Sequence, residues 1–198
     1  MQEANEDNTG WRRALRRDMV ARRAALSEAE HDVLSARIVA HLIAALPAPR
    51  VVAFCWPIKH EPDVRAIVPH WAGCGTRAAL PVVVQEGAPL AFRHWAPETP
   101  LEPDRYGIPT PMAGEWLIPD LILLPLNGFD GEGYRLGYGG GYFDRTLAAL
   151  SPRPLAVGVG FEINRVASIH EIGEIHTLHH STFGHIKTGN YSNCWPPA

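Results

Sequence analysis

The sequence is poor in the features that define several large protein classes. Its three cysteines, Cys55, Cys74 and Cys194, are odd in number and form no Cys-x-x-Cys pair, which speaks against a disulfide framework or a cysteine zinc site. Lysine is nearly missing: only Lys59 and Lys187 occur among 18 basic residues, so positive charge rests almost wholly on guanidinium forks. No apolar run approaches the ~20 residues a membrane-spanning helix needs, and no basic-then-apolar leader opens the sequence. A cytoplasmic protein without a membrane partner is expected. A net charge of only −3 lacks the broad positive field of a nucleic-acid-binding module.

A chain of 198 residues is long enough for one core without covalent staples. Residues 1–10 are polar and expected to be disordered, residues 11–180 to form a single domain, and residues 181–198 to be an irregular tail. Helical character begins near Trp11. Ser27 and Glu30 form a Ser-x-x-Glu capping box, and Leu34, Ile38, Leu42 and Ala45 give the second helix an apolar stripe that Pro47 and Pro49 close. Apolar runs at 50–56, 78–84, 121–126 and 155–161 read as buried strands, with a hairpin partner at 90–95 and a helix over 63–71. The stretch from Pro97 to Pro119 reads as irregular, either a lid or a plain connector. Strands alternating with helices predict a three-layer α/β/α domain around a mainly parallel sheet, preceded by two helices.

What the sequence does carry is the segment Gly133-Tyr134-Arg135-Leu136-Gly137-Tyr138-Gly139-Gly140-Gly141-Tyr142-Phe143-Asp144-Arg145, between an apolar run and a predicted helix. Glycines there let the backbone approach a ligand closely, and amides at the following helix start suit an anion. Arg135 supplies a fork for phosphate oxygens. Asp144 is placed either to hold Mg²⁺ beside a polyphosphate or to cap the helix. The spacing matches neither the dinucleotide fingerprint nor the Gly-Lys-Ser/Thr P-loop. Upstream, Arg12, Arg13, Arg16, Arg17, Arg22 and Arg23 crowd the first helix, which is either a solvated face or an anion site.

This glycine segment, with Phe129-Asp130 before it, resembles the signature of the 5-formyltetrahydrofolate cyclo-ligases, also called 5,10-methenyltetrahydrofolate synthetases. That signature runs Arg-Leu-Gly-x-Gly-x-Gly-aromatic-aromatic-Asp, and the likeness extends from about Arg12 to about Glu162. The resemblance implies ATP-dependent closure of 5-formyltetrahydrofolate to 5,10-methenyltetrahydrofolate, with ATP and Mg²⁺ as cofactors and small molecules, not nucleic acid, as partners. It places Arg12, Arg13, Arg16, Arg135, Leu136, Gly137, Tyr138, Gly139, Gly140, Gly141 and Tyr142 at ATP, Asp144 at the metal, and Arg135 and Tyr142 at the chemistry. Arg12 stands where the family has lysine. The family's Glu-x-Asp/Glu-Thr segment, which reaches the pterin, corresponds to Glu61-Pro62-Asp63-Val64, with valine replacing threonine. Glu61 is thus expected to bind the folate, with Cys55, Trp56, Tyr138 and Tyr142 lining its site.

Other readings of the same residues remain. Glu61 also fits an exposed acid at a helix start, and Cys55 and Trp56 fit the core. The cluster His176-x-x-His179-His180 reads as a surface loop in preference to a zinc site. The family's second metal-binding acid has no obvious counterpart; Glu162, Glu171 and Glu174 are the candidates. A non-catalytic nucleotide- or folate-binding regulator of the same fold, and an RNA-binding module using the arginine helix, are the competing functions.

Overall fold

A computed structural model describes residues 2–169, 180–182 and 185–186, with side chains over 10–169. Its centre is a mixed sheet in the order β12-β11-β10-β7-β1-β2-β3-β6. Strands β1 (Val51–Phe54), β2 (Arg77–Val82), β7 (Leu121–Pro125) and β10 (Leu155–Val159) are mutually parallel, and β11 (His180–Thr182) joins β10 in parallel. Strands β3 (Ala91–Trp95), β6 (Trp116–Leu117) and β12 (His185–Ile186) pair antiparallel at the two edges. The predicted mainly parallel sheet is present. Its central strands read as unbroken apolar runs because both faces are covered.

Successive side chains of those strands serve different layers. Val52, Phe54, Leu80, Leu121 and Leu123 pack with Ile38, Val39 and Leu42 of α2 (Glu28–Ala45) and with Ile67, Val68 and Trp71 of α3 (Ile67–Ala72). Ala53, Ala79, Ile122, Leu124 and Ala156 face the other way, toward Leu147 of α4 (Tyr142–Ala149). The second face is rich in alanine, so a single two-turn helix can lie close to the sheet. The Ser27–Glu30 capping box forms as predicted: Ser27 Oγ accepts from the Glu30 amide, and the Glu30 carboxylate accepts from the Ser27 amide at 2.9 Å.

Several boundaries differ from expectation for identifiable reasons. Helix α1 runs Gln2–Ala24, so it starts before Trp11, where helical character was expected to begin. The helix expected over 63–71 begins only at Ile67, because Asp63 Oδ1 takes the Arg65 amide at 3.0 Å in a local turn. The segment 97–119 is partly regular: β4 (Leu101–Pro103) and β5 (Pro109–Pro111) form a hairpin ahead of β6. The tail expected to be irregular from residue 181 contributes to β11 and to β12. The rest of that tail, and Glu171, Glu174, His176 and His179 before it, lie outside the described residues.

A small hairpin of β8 (Gly128–Phe129) and β9 (Arg135–Leu136) projects beyond the end of β7 and delivers the chain to the glycine loop. Asp130 fixes its turn. Its Oδ1 accepts from the amides of Glu132, Gly133 and Tyr134, each at 3.0 Å, and its Oδ2 accepts from the Ile169 amide at 2.7 Å. The side chain is buried, so Asp130→Ala strands amides that water reaches poorly. We expect the variant to lose roughly 2–4 kcal/mol. Urea denaturation tests this; an unchanged midpoint would remove Asp130 as the anchor of the hairpin.

Candidate active site

The carboxyl ends of β1, β7 and β10 open toward one end of the sheet, where ligands of parallel α/β sheets collect. Cys55, Pro57, Glu61, Pro62, Val64, Leu123, Pro125 and Val159 line a small, half-open cleft there. The walls are apolar apart from the carboxylate.

Glu61 is carried by the turn after β1, where Lys59 and His60 hold φ of 50° and 57°. Left-handed backbone at two consecutive residues other than glycine costs of the order of 1–3 kcal/mol each and persists only where the surroundings enforce it. The turn presents Glu61 inward at 2% exposure. Its Oε2 accepts from the Ile58 amide at 3.0 Å and its Oε1 from the Tyr138 hydroxyl at 2.7 Å. Burial raises the Glu61 pKa above the usual carboxylate range, partly offset by those two donors and by the charges of Arg23 and Lys59. Glu61 is therefore a buried acceptor and not the exposed helix-start acid of the alternative reading. Burial also pushes up the Cys55 thiol, with the Glu61 charge adding to it, so this cysteine is a neutral wall of the cleft.

Around the glycine loop the structure gathers three guanidinium groups. Arg16 Nε donates to the Gly137 carbonyl at 2.8 Å, and Arg145 donates to the Gly140 carbonyl at 2.6 Å. Arg135, buried at the end of the β8–β9 hairpin, forms an ion pair with Asp144. The loop holds Gly139 at φ 92° and Gly141 at φ 62°, and a Cβ on either would lie 3.3 Å or less from the Arg16 or Arg145 guanidinium. Glycine is required for both the turn and the approach of the arginines. Gly141 is the N-cap of α4, and no side chain caps the helix, which leaves its first amides turned toward the loop. Asp144 lies in the first turn of α4, bound to Arg135 and not acting as the cap.

The expected residues divide. Arg16, Arg135, Gly137, Tyr138, Gly139, Gly140, Gly141 and Tyr142 surround one loop, and Arg12 lies one turn before Arg16 on α1. Arg13 is exposed on another face of that helix. Leu136 is fully buried, so only its backbone faces the loop region. Trp56 packs edge-on against Trp95, with the Arg65 guanidinium 4.4 Å from its ring centre. The Tyr142 hydroxyl is 2.6 Å from that of Tyr106, in the turn between β4 and β5, so part of the candidate lid touches the loop. Glu162 pairs with Arg165 on an exposed turn.

Three residues that sequence reasoning did not assign join the site. Arg145 flanks the loop, and Lys59 lies 5.1 Å from the Tyr138 ring centre. Arg23, one of the six arginines read as either a solvated face or an anion site, is fully buried. It donates to the Lys59 carbonyl at 3.2 Å, to the Asn127 carbonyl and Oδ1 at 3.3 and 3.0 Å, and to the Tyr138 hydroxyl at 3.1 Å. The signal for it was available: Arg12, Arg16, Met19 and Arg23 recur at four-, three- and four-residue spacing, one helix face.

Comparison with known proteins agrees with this geometry. Residues 8–174 match the model of the 5-formyltetrahydrofolate cyclo-ligase family. The 5-formyltetrahydrofolate cyclo-ligase of Mycoplasma pneumoniae is 29% identical over 156 residues, which is 77% of this chain and 86% of that protein. Its counterpart from Mycolicibacterium smegmatis is 31% identical over 144 residues, 65% of this chain and 73% of the relative. The NMR structure of Aquifex aeolicus 5,10-methenyltetrahydrofolate synthetase superposes with a TM-score of 0.74 at 28% identity, covering 92% of this chain and 96% of its own. The Mycoplasma pneumoniae 5,10-methenyltetrahydrofolate synthetase superposes with a TM-score of 0.64 at 25% identity, covering 80% and 90%. With the glycine loop, the arginine helix and the Glu61 turn all inside the matched range, the chain belongs to the 5-formyltetrahydrofolate cyclo-ligase family and is an enzyme of that group.

Proposed function

We propose that the protein closes 5-formyltetrahydrofolate to 5,10-methenyltetrahydrofolate at the expense of ATP, releasing ADP and phosphate. The observation that carries this reading is the adjacency of a guanidinium-ringed glycine loop and a cleft holding one buried carboxylate, joined through Tyr138. In the proposed reaction the formyl oxygen attacks the γ-phosphorus and displaces ADP. N10 then bonds to the formyl carbon as the C–O bond breaks, and phosphate leaves with the proton that N10 gives up.

The protein's share is positioning and charge stabilisation. Loop amides and the start of α4 receive phosphate oxygens, with Arg12 and Arg16 on one side and Arg135 and Arg145 on the other. Glu61 accepts from adjacent N–H groups of the pterin edge, and Cys55 and the prolines exclude water around it. Tyr142 stands at the loop's exit, where its hydroxyl meets the reacting groups or the Tyr106 contact. Among the described residues no group of three potential ligands gathers to enclose a metal. The single carboxylate of Asp144 still suits Mg²⁺, which takes most of its oxygens from phosphate and water. Bound there, the ion would neutralise charge on the transferring phosphoryl group. To hold the ion, Asp144 would have to share its carboxylate between Arg135 and the cation.

Incubating the purified chain with 5-formyltetrahydrofolate, ATP and Mg²⁺ while following the ultraviolet band of the methenyl product tests the activity. Binding of both ligands without product would instead identify a regulator. Arg135→Ala should lower kcat/KM by an amount equivalent to about 2–4 kcal/mol in the transition state, with wild-type values for ATP removing the phosphate role. Arg16→Ala should raise KM for ATP, whereas Arg17→Ala and Arg22→Ala should stay within about 0.5 kcal/mol of wild type in stability and kcat/KM. A uniform small effect at all three positions would mean that the helix acts only through its general field.

Glu61→Gln should raise KM for the folate more than for ATP, since an amide offers one acceptor oxygen where the carboxylate offers two. Stability gives an independent check. A carboxyl whose pKa is raised on folding stabilises the native state only while protonated, and that contribution is lost as pH rises through the folded pKa. The unfolding free energy of Glu61→Gln relative to wild type should therefore move in the variant's favour as pH rises above the ordinary carboxylate range. A pH-independent difference in denaturation midpoints would mean that Glu61 does not carry a buried charge.

A further inference from the structure

Tyr138 belongs to the glycine loop by sequence, yet its hydroxyl points away from the loop. It donates to Glu61 Oε1 at 2.7 Å and accepts from the Arg23 guanidinium at 3.1 Å. The arrangement is a short chain from cation through hydroxyl to carboxylate, and its middle member is fixed to the backbone that proposed phosphate contacts would order. A hydroxyl that accepts from a guanidinium is a better donor to a carboxylate. We propose that the Tyr138 hydroxyl is a positioning group that transmits occupancy of the glycine loop to Glu61, so that nucleotide and folate bind cooperatively. The proposal rests on the reading of Glu61 as the pterin-facing group.

The ring of Tyr138 is partly exposed and lies beneath Lys59, so its packing does not depend on the hydroxyl. The charged and titratable groups around Glu61 come from every side: Arg23 from α1, His31 of α2 with its ring nitrogen 2.9 Å from the Glu61 carbonyl, Cys55 after β1, Lys59 from the same turn, and Tyr138 from the loop. Of these, Tyr138 is the one whose hydroxyl reaches the carboxylate from the nucleotide side. Loss of that donor disfavours the ionised form of Glu61. Folate binding that depends on the carboxylate must then fail at a higher pH than in wild type.

Tyr138→Phe isolates the hydroxyl because it keeps the ring and its contact with Lys59. Calorimetric titration of a non-hydrolysable ATP analogue with Mg²⁺, with and without saturating 5-formyltetrahydrofolate, reads the coupling directly. In wild type the folate should tighten the analogue by roughly tenfold, within the usual range of coupling between two sites, and by reciprocity the analogue should tighten the folate equally. In Tyr138→Phe the factor should fall to near one, and the acid limb of kcat/KM for the folate should move to higher pH. Site-specific 3-fluorotyrosine at position 138, a stronger donor, should move that limb the opposite way. Absence of coupling in wild type, or wild-type coupling together with an unmoved acid limb in Tyr138→Phe, overturns the proposal. Glu61→Gln separates the two readings. Unchanged folate affinity in that variant rejects Glu61 itself, while weakened affinity beside a wild-type-like Tyr138→Phe rejects only the link.

Discussion

The fully buried guanidinium of Arg23 holds the site's separate segments together. An ionised group taken out of water is costly unless its donors find acceptors with good geometry, and Arg23 finds them on three different stretches of chain: the Lys59 carbonyl, both oxygens of Asn127 and the Tyr138 hydroxyl. Helix α1, the turn after β1, the end of β7 and the glycine loop must therefore stand at fixed distances from one another. Asn164 extends the same junction, donating to the carbonyls of Met19 at 3.2 Å and Asn127 at 2.7 Å. Glu61 is the opposing charge, reached through Tyr138 instead of by direct contact.

The division of the sheet into two unlike faces explains where this junction sits. One face carries large aliphatic and aromatic side chains and is covered by α2 and α3. The other carries alanines and is covered by α4, which starts directly at the glycine loop. Close packing of α4 brings Thr146 to the Leu90 amide at 2.8 Å, tying the loop's helix to the approach to β3. The loop is thereby backed by rigid elements on both sides, and its conformation follows from Gly139 and Gly141 at positive φ.

A site built this way is costly to fold. Two consecutive left-handed residues precede Glu61, a carboxylate is buried with its pKa raised, and a guanidinium lies beneath it. None of the three is needed to close the apolar core, and strain or buried charge of this kind concentrates at functional sites.

Much of the fold and the loop was legible in the sequence because those features depend on local rules. Apolar runs set the central strands, Ser27 and Glu30 set the start of α2, and the Gly137–Gly141 spacing set a close-approach turn. Other features depended on which segments meet in space. Arg23 shares a helix face with Arg12, Arg16 and Met19 while Arg17 does not, but only the meeting of that face with Lys59 and Asn127 buries the Arg23 guanidinium. Arg135 and Asp144 were read as separate phosphate and metal residues; the β8–β9 hairpin brings them into one ion pair. Glu61 read either as a pterin-binding carboxylate or as a helix-start acid, and only the turn at Lys59 and His60 places it inward. The sequence by itself determined the elements and the chemistry of the loop, since these follow from backbone sterics and hydrophobic period; the tertiary structure alone decided which charges face one another, because a charge pair is a matter of distance between segments remote along the chain.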